Sequence, residues 1–424
     1  MNSPVLVVES YFDGERYHAG GPYTIRIIDG VIGEILPGDP GSSNATPNSA
    51  GDLIVAPFVM PGLTEAHCHL FLDGARLDPQ VRKKYLHAPF PEMLQVGWKS
   101  LQADLAAGVT LIRDAGDLYG VNTHIKRELH RWTGRAPTLR SPGRAIRKAG
   151  RYGGFMAVEV NGPDDIAPTI RKIAATADDL KILLTGIIDF AHGKMKGDVQ
   201  FDLAQTRLIV QSARDLNLRT YAHCSGQEGL QIAVAAGIDS IEHGFFMSHE
   251  ILKAMAQKRI AWVPTFAPVY FQFAHPELAG WNARTLERLD AILQQHFEMV
   301  AQADAWGVPV LAGSDAGSCG VPHGTGLIDE LFFLLRAGLP LEKVLSAATA
   351  APRKLWGMAP ANIAPGNAVD CVALAGSPFE NIDFLRQVRL LVRCGEVFRP
   401  EDWRCPPAVP PAAAGPPAPV GVHP

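Results

Sequence analysis

The sequence has no large excess of charge of either sign and no long apolar run, and both absences narrow its possible functions. Its 424 residues carry a formal net charge of -4, and the pI is near 6.4. The chain therefore lacks the basic surface by which proteins bind nucleic acid. No uninterrupted apolar run approaches the roughly 18 residues of a membrane span. We expect neither nucleic acid nor a membrane as a partner.

Cysteine is scarce, and its spacing matches neither a disulfide framework nor a Cys-x-x-Cys pair. The six cysteines are spread over the chain at positions 68, 224, 319, 371, 394 and 405, which suits a reducing compartment. Residues 1–10 also lack the basic segment and long apolar segment of a secretory signal. We therefore expect a soluble, cytoplasmic protein.

A Gly-x-Gly-x-x-Gly turn after an early strand is also missing, which weighs against a doubly wound open sheet. Residues 60–357 instead alternate between short apolar runs and amphipathic patterns of helical period. About eight such runs, each followed by a helical pattern, indicate an α/β fold of the (β/α)8 TIM barrel type. The doubly wound sheet remains the structural alternative.

Both chain ends have strand character without helical periodicity. Four β-forming runs predict that residues 1–59 form part of a small sheet domain. Residues 358–405 return to this pattern, and we predict that they complete the domain as a β-sandwich beside the barrel. The Pro/Ala-rich segment 406–424 cannot build a packed core, so we predict a flexible tail.

The stretch 61–70 ends a buried apolar run with a His-x-His pair. On a strand, His67 and His69 point to the same face and Cys68 points to the other. Imidazoles about 6 to 7 Å apart on one face can share a metal ion through bonds of roughly 2.0 to 2.1 Å. An isolated pair of this kind is more often packed structurally, so the other strand ends decide the interpretation.

Four further residues of ligand type end other apolar runs: Lys181, His223, His243 and Asp315. Each alone is typical of a structural role, such as capping a turn or hydrogen bonding in the core. Because the carboxyl ends of barrel strands meet at one mouth, we predict that they form one site. Lys181 requires an explanation of its own, since an unpaired buried ammonium is costly or loses its proton.

Taken in order along the chain, these motifs resemble the amidohydrolase superfamily, and more narrowly its imidazolonepropionase-like and prolidase-like hydrolases. The resemblance covers nearly the whole chain apart from the tail. Besides His223 and His243, the matching segments are 61–69, 108–116, 180–182, 313–317 and 363–370.

The resemblance implies a binuclear metal site with two divalent ions, most simply zinc. The implied ligands are His67, His69 and Asp315 for one ion, His223 and His243 for the other, and a CO2-modified Lys181 as the bridge. A buried amine of depressed pKa can react with CO2, and the carbamate formed is an anionic ligand. The resemblance further implies that a hydroxide shared by the ions attacks an amide carbonyl, with Asp315 as the proton shuttle.

Two departures limit what the resemblance implies about the substrate. Glu65 stands where these enzymes commonly have aspartate, and the loop 151–155 reads Arg-Tyr-Gly-Gly-Phe where relatives often carry Gly-Gly-His. Cations in this loop and in the loop after Lys181 could bind a substrate carboxylate or could form a solvated basic rim. The candidate substrate-binding residues are Arg147, Arg151, Tyr152, His192 and His323.

The leading interpretation is a metal-dependent hydrolase of an amide-type C–N bond, in an Xaa-Pro-like dipeptide or an N-acyl amino acid. One alternative is a mononuclear deaminase or cyclic-amide hydrolase with an unmodified Lys181. Another is a catalytically silent relative that serves as a binding or assembly module. Metal content distinguishes the three hypotheses: the first predicts two ions per chain, the second one ion and the third none. Barrels with a side domain often pair, so a homo-oligomer is also an expectation.

Overall fold

The computed structural model describes residues 4–38, 53–132 and 135–404, and the predicted tail at 406–424 lies outside them. Within the described ranges, no helix is long and apolar enough to cross a membrane. The helices are α1 (Pro79–Tyr85), α2 (Phe90–Ala106), α3 (Val121–Leu129), α4 (Pro163–Ala174), α5 (Leu203–Arg214), α6 (Gln227–Ala236), α7 (His249–Lys258), α8 (Phe266–Ala274), α9 (Pro276–Ala279), α10 (Ala283–Ala305), α11 (Thr325–Arg336), α12 (Leu341–Ala347) and α13 (Ala350–Leu355).

The strands alternate with these helices in the middle of the chain and cluster at its ends. They are β1 (Val5–Phe12), β2 (Tyr17–His18), β3 (Tyr23–Ile28), β4 (Val31–Pro37), β5 (Leu53–Pro61), β6 (Leu63–Cys68), β7 (Val109–Asp114), β8 (Thr138–Arg140), β9 (Ala145–Lys148), β10 (Ala157–Val160), β11 (Asp179–Leu183), β12 (Ile188–Asp189), β13 (Lys194–Met195), β14 (Arg219–Cys224), β15 (Ser240–His243), β16 (Ala261–Val263), β17 (Asp370–Leu374), β18 (Val388–Arg393) and β19 (Glu396–Phe398).

Local sequence explains where the helices begin and which face they bury. In α5, the Asp202 side chain accepts from the Gln205 backbone, and the Gln205 side chain returns a bond to the Asp202 backbone. This capping box satisfies two amides that otherwise lack intrahelical partners. The buried residues Ile209, Val210 and Ala213 then follow at helical spacing and pack into the core.

The parallel strands of the middle region form two sheets, ordered β6-β7-β8 and β10-β9-β11-β14-β15-β16. Residues 308–316, which include one of the apolar runs of the middle region, form only isolated bridges but lie between the two sheets. The Leu311 amide donates to the Trp262 carbonyl at 2.9 Å, and the Ala66 amide donates to the Ala312 carbonyl at 3.0 Å. The predicted α/β fold is confirmed, with the strand ends of both sheets brought to one side.

The two chain ends meet in one sheet of order β19-β18-β17-β5-β1-β3-β4, to which β2 adds beside β1. Its central strand β5 pairs parallel with β1 and antiparallel with β17. Over the described residues the ends form this single sheet, so the second layer of a β-sandwich stays a prediction. The predicted domain boundaries also stay predictions.

A buried ion cluster joins this sheet to the helices that follow the barrel strands. Asp370, at the start of β17, accepts from Arg353 at 2.5 Å and from Arg393 at 3.1 Å. The Asp370 carbonyl also accepts from the Gly62 amide at 2.9 Å. A Cβ atom at Gly62 would lie 2.1 Å from the Thr110 hydroxyl oxygen, so only glycine allows this approach.

We expect Asp370→Asn to lower the free energy of unfolding by about 3 kcal/mol, because it leaves two buried guanidinium groups without a counter-charge. Urea denaturation followed by tryptophan fluorescence measures the effect. The matched control is Asp329→Asn, which breaks the exposed pair with Arg386 and costs less than about 1 kcal/mol. Equal losses in the two variants would contradict the expectation.

Candidate active site

A cavity of about 160 Å³ lies at the carboxyl ends of the parallel strands, and all six predicted metal ligands line it. They reach it from five separate segments of the chain. His67 and His69 come from the end of β6, Lys181 from β11, His223 from β14, His243 from β15 and Asp315 from the segment 308–316. The structure therefore brings together residues that span nearly 250 positions.

The spacing of three of these side chains fits a single metal ion. The Asp315 Oδ1 atom lies 3.4 Å from His69 Nε2 and 3.7 Å from His67 Nε2. Two ligands bound tetrahedrally to zinc at about 2.0 to 2.2 Å are themselves roughly 3.3 to 3.6 Å apart. The observed distances are thus close to those around a bound ion.

Hydrogen bonds fix which nitrogen of each histidine carries a proton. His67 Nδ1 lies 2.6 Å from the Glu242 carboxylate, so Nδ1 donates and Nε2 keeps its lone pair. The Thr265 hydroxyl donates to the Pro264 carbonyl, so it accepts from His243 Nδ1 at 2.7 Å. The His223 Nε2 atom donates to the Gly186 carbonyl at 3.0 Å, which leaves Nδ1 free.

Electrostatics keeps these imidazoles in the neutral form that binds metals. Burial, reinforced by the nearby charge of Lys181, lowers the pKa of both His67 and His223 to about 4. Burial is the main reason why the pKa of His243 lies well below its ordinary value, and the neighbouring His223 lowers it further. At neutral pH the cavity therefore presents uncharged nitrogen donors.

Lys181 is 1% exposed, yet among the described residues no carboxylate lies within 4.0 Å of its amine. Its Nζ atom lies 3.4 Å from His67 Nε2 and 4.9 Å from the centroid of the Tyr221 ring. Burial lowers the pKa of Lys181 to about 8. A buried amine of this kind is more nucleophilic than a solvated lysine because a larger fraction of it is unprotonated.

A buried ion pair that we did not predict supports the floor of the site. Arg113 donates from Nη2 to Glu242 at 2.9 Å and from Nε to the Ala66 carbonyl at 2.8 Å. Burial alone would raise the pKa of Glu242, but Arg113 and the hydrogen bond from His67 lower it to about 2. The signal in the sequence was a charged residue directly before His243.

Two of the predicted ligands adopt a backbone conformation that non-glycine residues rarely take. His243 has φ 68° and Asp315 has φ 57°, and Thr265, which contacts His243, has φ 52°. Each such residue costs of order 1 to 3 kcal/mol and persists only where the surroundings hold it. At His243 this conformation breaks the alternation of the strand, so the adjacent Glu242 and His243 both serve the same site.

Glu65 links the first and last segments of the site. Its Oε1 atom accepts from the His67 and Ser314 amides, both at 2.9 Å. Its Oε2 atom lies 2.5 Å from the Ser314 hydroxyl. Burial raises the pKa of Glu65 to about 8. The Glu65 side chain thus connects β6 with the segment 308–316.

The five predicted substrate-binding residues lie in different surroundings. Tyr152 lines the cavity, and its ring centroid lies 5.4 Å from that of His223. Arg147 pairs with Glu159 at 2.7 Å, Arg151 donates to the Asp198 carbonyl, and His192 pairs with Asp189 at 2.8 Å.

The fifth candidate, His323, lies in a neighbouring groove instead of the cavity. Its ring nitrogens lie 3.2 Å from Asp104 and 3.2 Å from the Leu72 carbonyl, respectively. Both nitrogens are therefore engaged within the protein. A role of any of the five in substrate binding stays a prediction.

Comparison with known proteins adds to this geometry. The sequence profile of the amidohydrolase family matches residues 58–397. The chain belongs to the amidohydrolase family. Among relatives, ochratoxinase from Aspergillus niger is 24% identical over 377 residues, which cover 81% of this chain and 76% of that protein.

Solved structures of similar proteins cover almost the whole chain. A Xaa-Pro dipeptidase with bound methionine has a TM-score of 0.78 at 23% identity, covering 94% of this chain and 100% of its own. The Aspergillus niger ochratoxinase structure has a TM-score of 0.78 at 20% identity, with coverages of 94% and 96%. Molinate hydrolase has a TM-score of 0.76 at 19% identity, with coverages of 98% and 99%.

These findings confirm the predicted resemblance to the amidohydrolase superfamily and to its prolidase-like members. The similar structures imply a TIM barrel, in agreement with the strand and helix order of residues 60–357. Family membership supports a hydrolase that acts on carbon–nitrogen bonds. Amidohydrolases are generally metal-dependent, and the cluster of His67, His69 and Asp315 supplies candidate ligands.

We expect Glu242→Gln to weaken zinc binding by about 10- to 100-fold, because the His67 ring loses the carboxylate that orients it. Competition against a chromogenic chelator measures the change. Ser240→Ala is the matched control, since it removes another hydrogen bond to Glu242 and leaves the His67 contact intact. An unchanged zinc affinity in Glu242→Gln would show that Glu242 does not support a metal ligand.

Proposed function

We propose that this amidohydrolase is a metal-dependent enzyme that cleaves the amide C–N bond of a dipeptide or an N-acyl amino acid. The observation that carries the proposal is the meeting of four imidazoles, Asp315 and a buried lysine without a carboxylate partner around one cavity. The similar Xaa-Pro dipeptidase supports dipeptides as a first substrate class to test.

The donor set fits two divalent cations. His67, His69 and Asp315 would hold one ion, because their ligand atoms lie within 4.8 Å of one another. The second ion would be held by His223 and His243, whose ring centroids are 4.5 Å apart. Carboxylation of Lys181 would supply the bridging ligand and would also replace the unpaired ammonium by an anion.

Bound cations would lower the pKa of a water molecule and polarise the scissile carbonyl. Asp315 is suited to move the proton. Burial opposes ionisation of Asp315, but the surrounding side chains of His69, His67 and His243 hold its pKa well below the ordinary range. It is therefore ionised before the reaction.

In the proposed reaction the water oxygen bonds to the carbonyl carbon, and Asp315 takes the water proton. The C–N bond then breaks, and Asp315 gives the proton to the leaving nitrogen, which departs as an amine. Ser318 donates to Asp315 Oδ2 at 3.0 Å and holds the carboxylate in place.

Tyr152 is the proposed hydrogen-bond donor to the substrate in the cavity. Its hydroxyl has no partner among the described residues, although its ring lines the cavity. Burial raises the pKa of Tyr152, so the hydroxyl keeps its proton at neutral pH. A donor of this kind stabilises the negative charge that develops on the carbonyl oxygen.

The protein purified without chelators is expected to contain about two zinc ions per chain, and Lys181→Ala is expected to lose at least one. Elemental analysis measures the metal, and carbon-13 NMR after growth in labelled bicarbonate measures the carbamate. Lys172→Ala, which changes an exposed lysine on α4, is the matched control. A single ion that is unaffected by Lys181→Ala would refute the binuclear site and favour the mononuclear alternative.

Asp315→Asn is expected to lower kcat for hydrolysis of N-acetyl amino acids by about 10²- to 10⁴-fold, because the amide cannot take up and return the proton. Release of the free amino acid measures the rate across a panel that includes Xaa-Pro dipeptides. Ser318→Ala, which removes only a hydrogen bond to Asp315, is expected to retain most of the activity. A kcat for Asp315→Asn within tenfold of the wild type would contradict the proton-transfer role.

A further inference from the structure

We propose that Arg82 binds a carboxylate of the substrate and that the groove beside it holds a bulky apolar group of the same molecule. This inference deepens the proposed function and rests on it for the reaction, although the binding site can be tested separately. The predicted substrate is thus an N-acyl amino acid or dipeptide with a free carboxylate and a large apolar side.

Arg82 lies on α1 at the junction of two cavities, and its side chain is held in a fixed position. It donates from Nη1 to the Asp73 carbonyl at 2.8 Å and from Nη2 to the Gly317 carbonyl at 2.9 Å. A second Nη1 bond reaches the Arg76 carbonyl at 3.1 Å. These bonds tie the loop after β6 to the loop after Asp315.

The guanidinium of Arg82 still lacks a counter-charge. Over the described ranges, no carboxylate lies within 4.0 Å of it, and its three bonds all go to neutral carbonyls. Five N–H donors are available in arginine, so the Nε hydrogen and one Nη2 hydrogen remain. Two donors on neighbouring nitrogens match the two oxygens of a carboxylate. A half-buried cation without an anion therefore points to an anionic ligand.

The position of Arg82 connects this unpaired cation to the chemistry. Arg82, Leu72 and Phe155 line both the metal-ligand cavity and a groove of about 760 Å³ between α1 and α2. The cavity of about 160 Å³ has room for an amide and its immediate substituents only. A substrate of ordinary drug-like size must therefore extend into the groove.

The residues that line the groove indicate which chemical groups the rest of the ligand carries. The apolar lining residues of the groove include Val81, Tyr85, Leu86, Val96 and Phe155. The lining also carries five lysines and arginines against two carboxylates, Asp73 and Glu92. This charge balance attracts an anion, while the apolar residues favour an aromatic or aliphatic group.

Two other ionisable groups at the groove, His323 and Asp73, have partners within the protein. The ring nitrogens of His323 lie 3.2 Å from Asp104 and 3.2 Å from the Leu72 carbonyl, and the Asp104 charge raises the pKa of His323 against the opposing effect of burial. Asp73 lies 3.5 Å from Arg76. Arg82 is consequently the cation at this junction that is both fixed in position and without an acidic partner.

The first test is direct binding to the metal-loaded enzyme, measured by calorimetry with N-tosyl-L-phenylalanine. Its sulfonamide resists hydrolysis, so binding is read without turnover. The carboxamide of the same compound is expected to bind about 10- to 100-fold more weakly, because it lacks the charge that Arg82 recognises. Equal affinities for the two ligands in the wild type would overturn the proposal.

The second test compares variants on the same pair of ligands. Arg82→Met is expected to abolish the preference for the carboxylate and to leave carboxamide binding within about threefold. Arg127→Met, an exposed substitution on α3 away from both cavities, is expected to keep the full preference. Equal weakening of both ligands by Arg82→Met would assign Arg82 to loop structure alone and overturn the proposal.

Kinetics separate this inference from the proposed function. With N-acetyl-L-phenylalanine, Arg82→Met is expected to raise KM by about 10- to 100-fold and to change kcat little. Hydrolysis that is indifferent to Arg82→Met would leave the proposed function standing and overturn the inference. Carboxylate binding that depends on Arg82, in an enzyme that hydrolyses none of the amides tested, would support the inference and refute the proposed function.

Discussion

The buried pair of Glu242 and Arg113 is the interaction on which the geometry of the site depends. Two buried charges are tolerated only where their remaining hydrogen-bonding atoms are satisfied. Here the Ala66 carbonyl and the Ser240 hydroxyl complete the pair, and the Arg113 guanidinium lies 4.3 Å from the Tyr221 ring centroid. The network fixes β6, β7 and β15 relative to one another and, through its bond to His67, sets the orientation of that ring.

The same pair explains the charge balance of the cavity above it. Because Arg113 and His67 occupy the Glu242 carboxylate, that group lies outside ion-pair distance of Lys181. The amine is left among neutral imidazoles, and burial lowers its pKa. The cavity thus concentrates imidazole nitrogens whose lone pairs are available, which is the arrangement expected of a metal-binding site.

Periodicity and residue type predicted most of the fold but only part of the site. The alternation of apolar runs and helical patterns predicted for residues 60–357 corresponds to the strands and helices observed there, and the six ligand-type residues at strand ends do meet at one cavity. Glu242 could not be assigned, because its partner His67 lies 175 positions away and the left-handed backbone at His243 breaks strand alternation. The proposed role of Arg82 could not be predicted from the sequence either, since an arginine on a short helix is normally exposed to solvent.

The central position of β5 in the terminal sheet has a consequence for the synthesis of the chain. Pro61 pairs with Cys371, 310 residues later, so one edge of β5 stays unpaired until β17 has been made. At about 5 to 20 residues per second, this interval lasts roughly 15 to 60 s. During that time a ribosome-bound chain exposes an open strand edge that can pair with other chains. Slow translation or a shortage of chaperones would therefore reduce the yield of folded protein before it changed the activity of the molecules that fold.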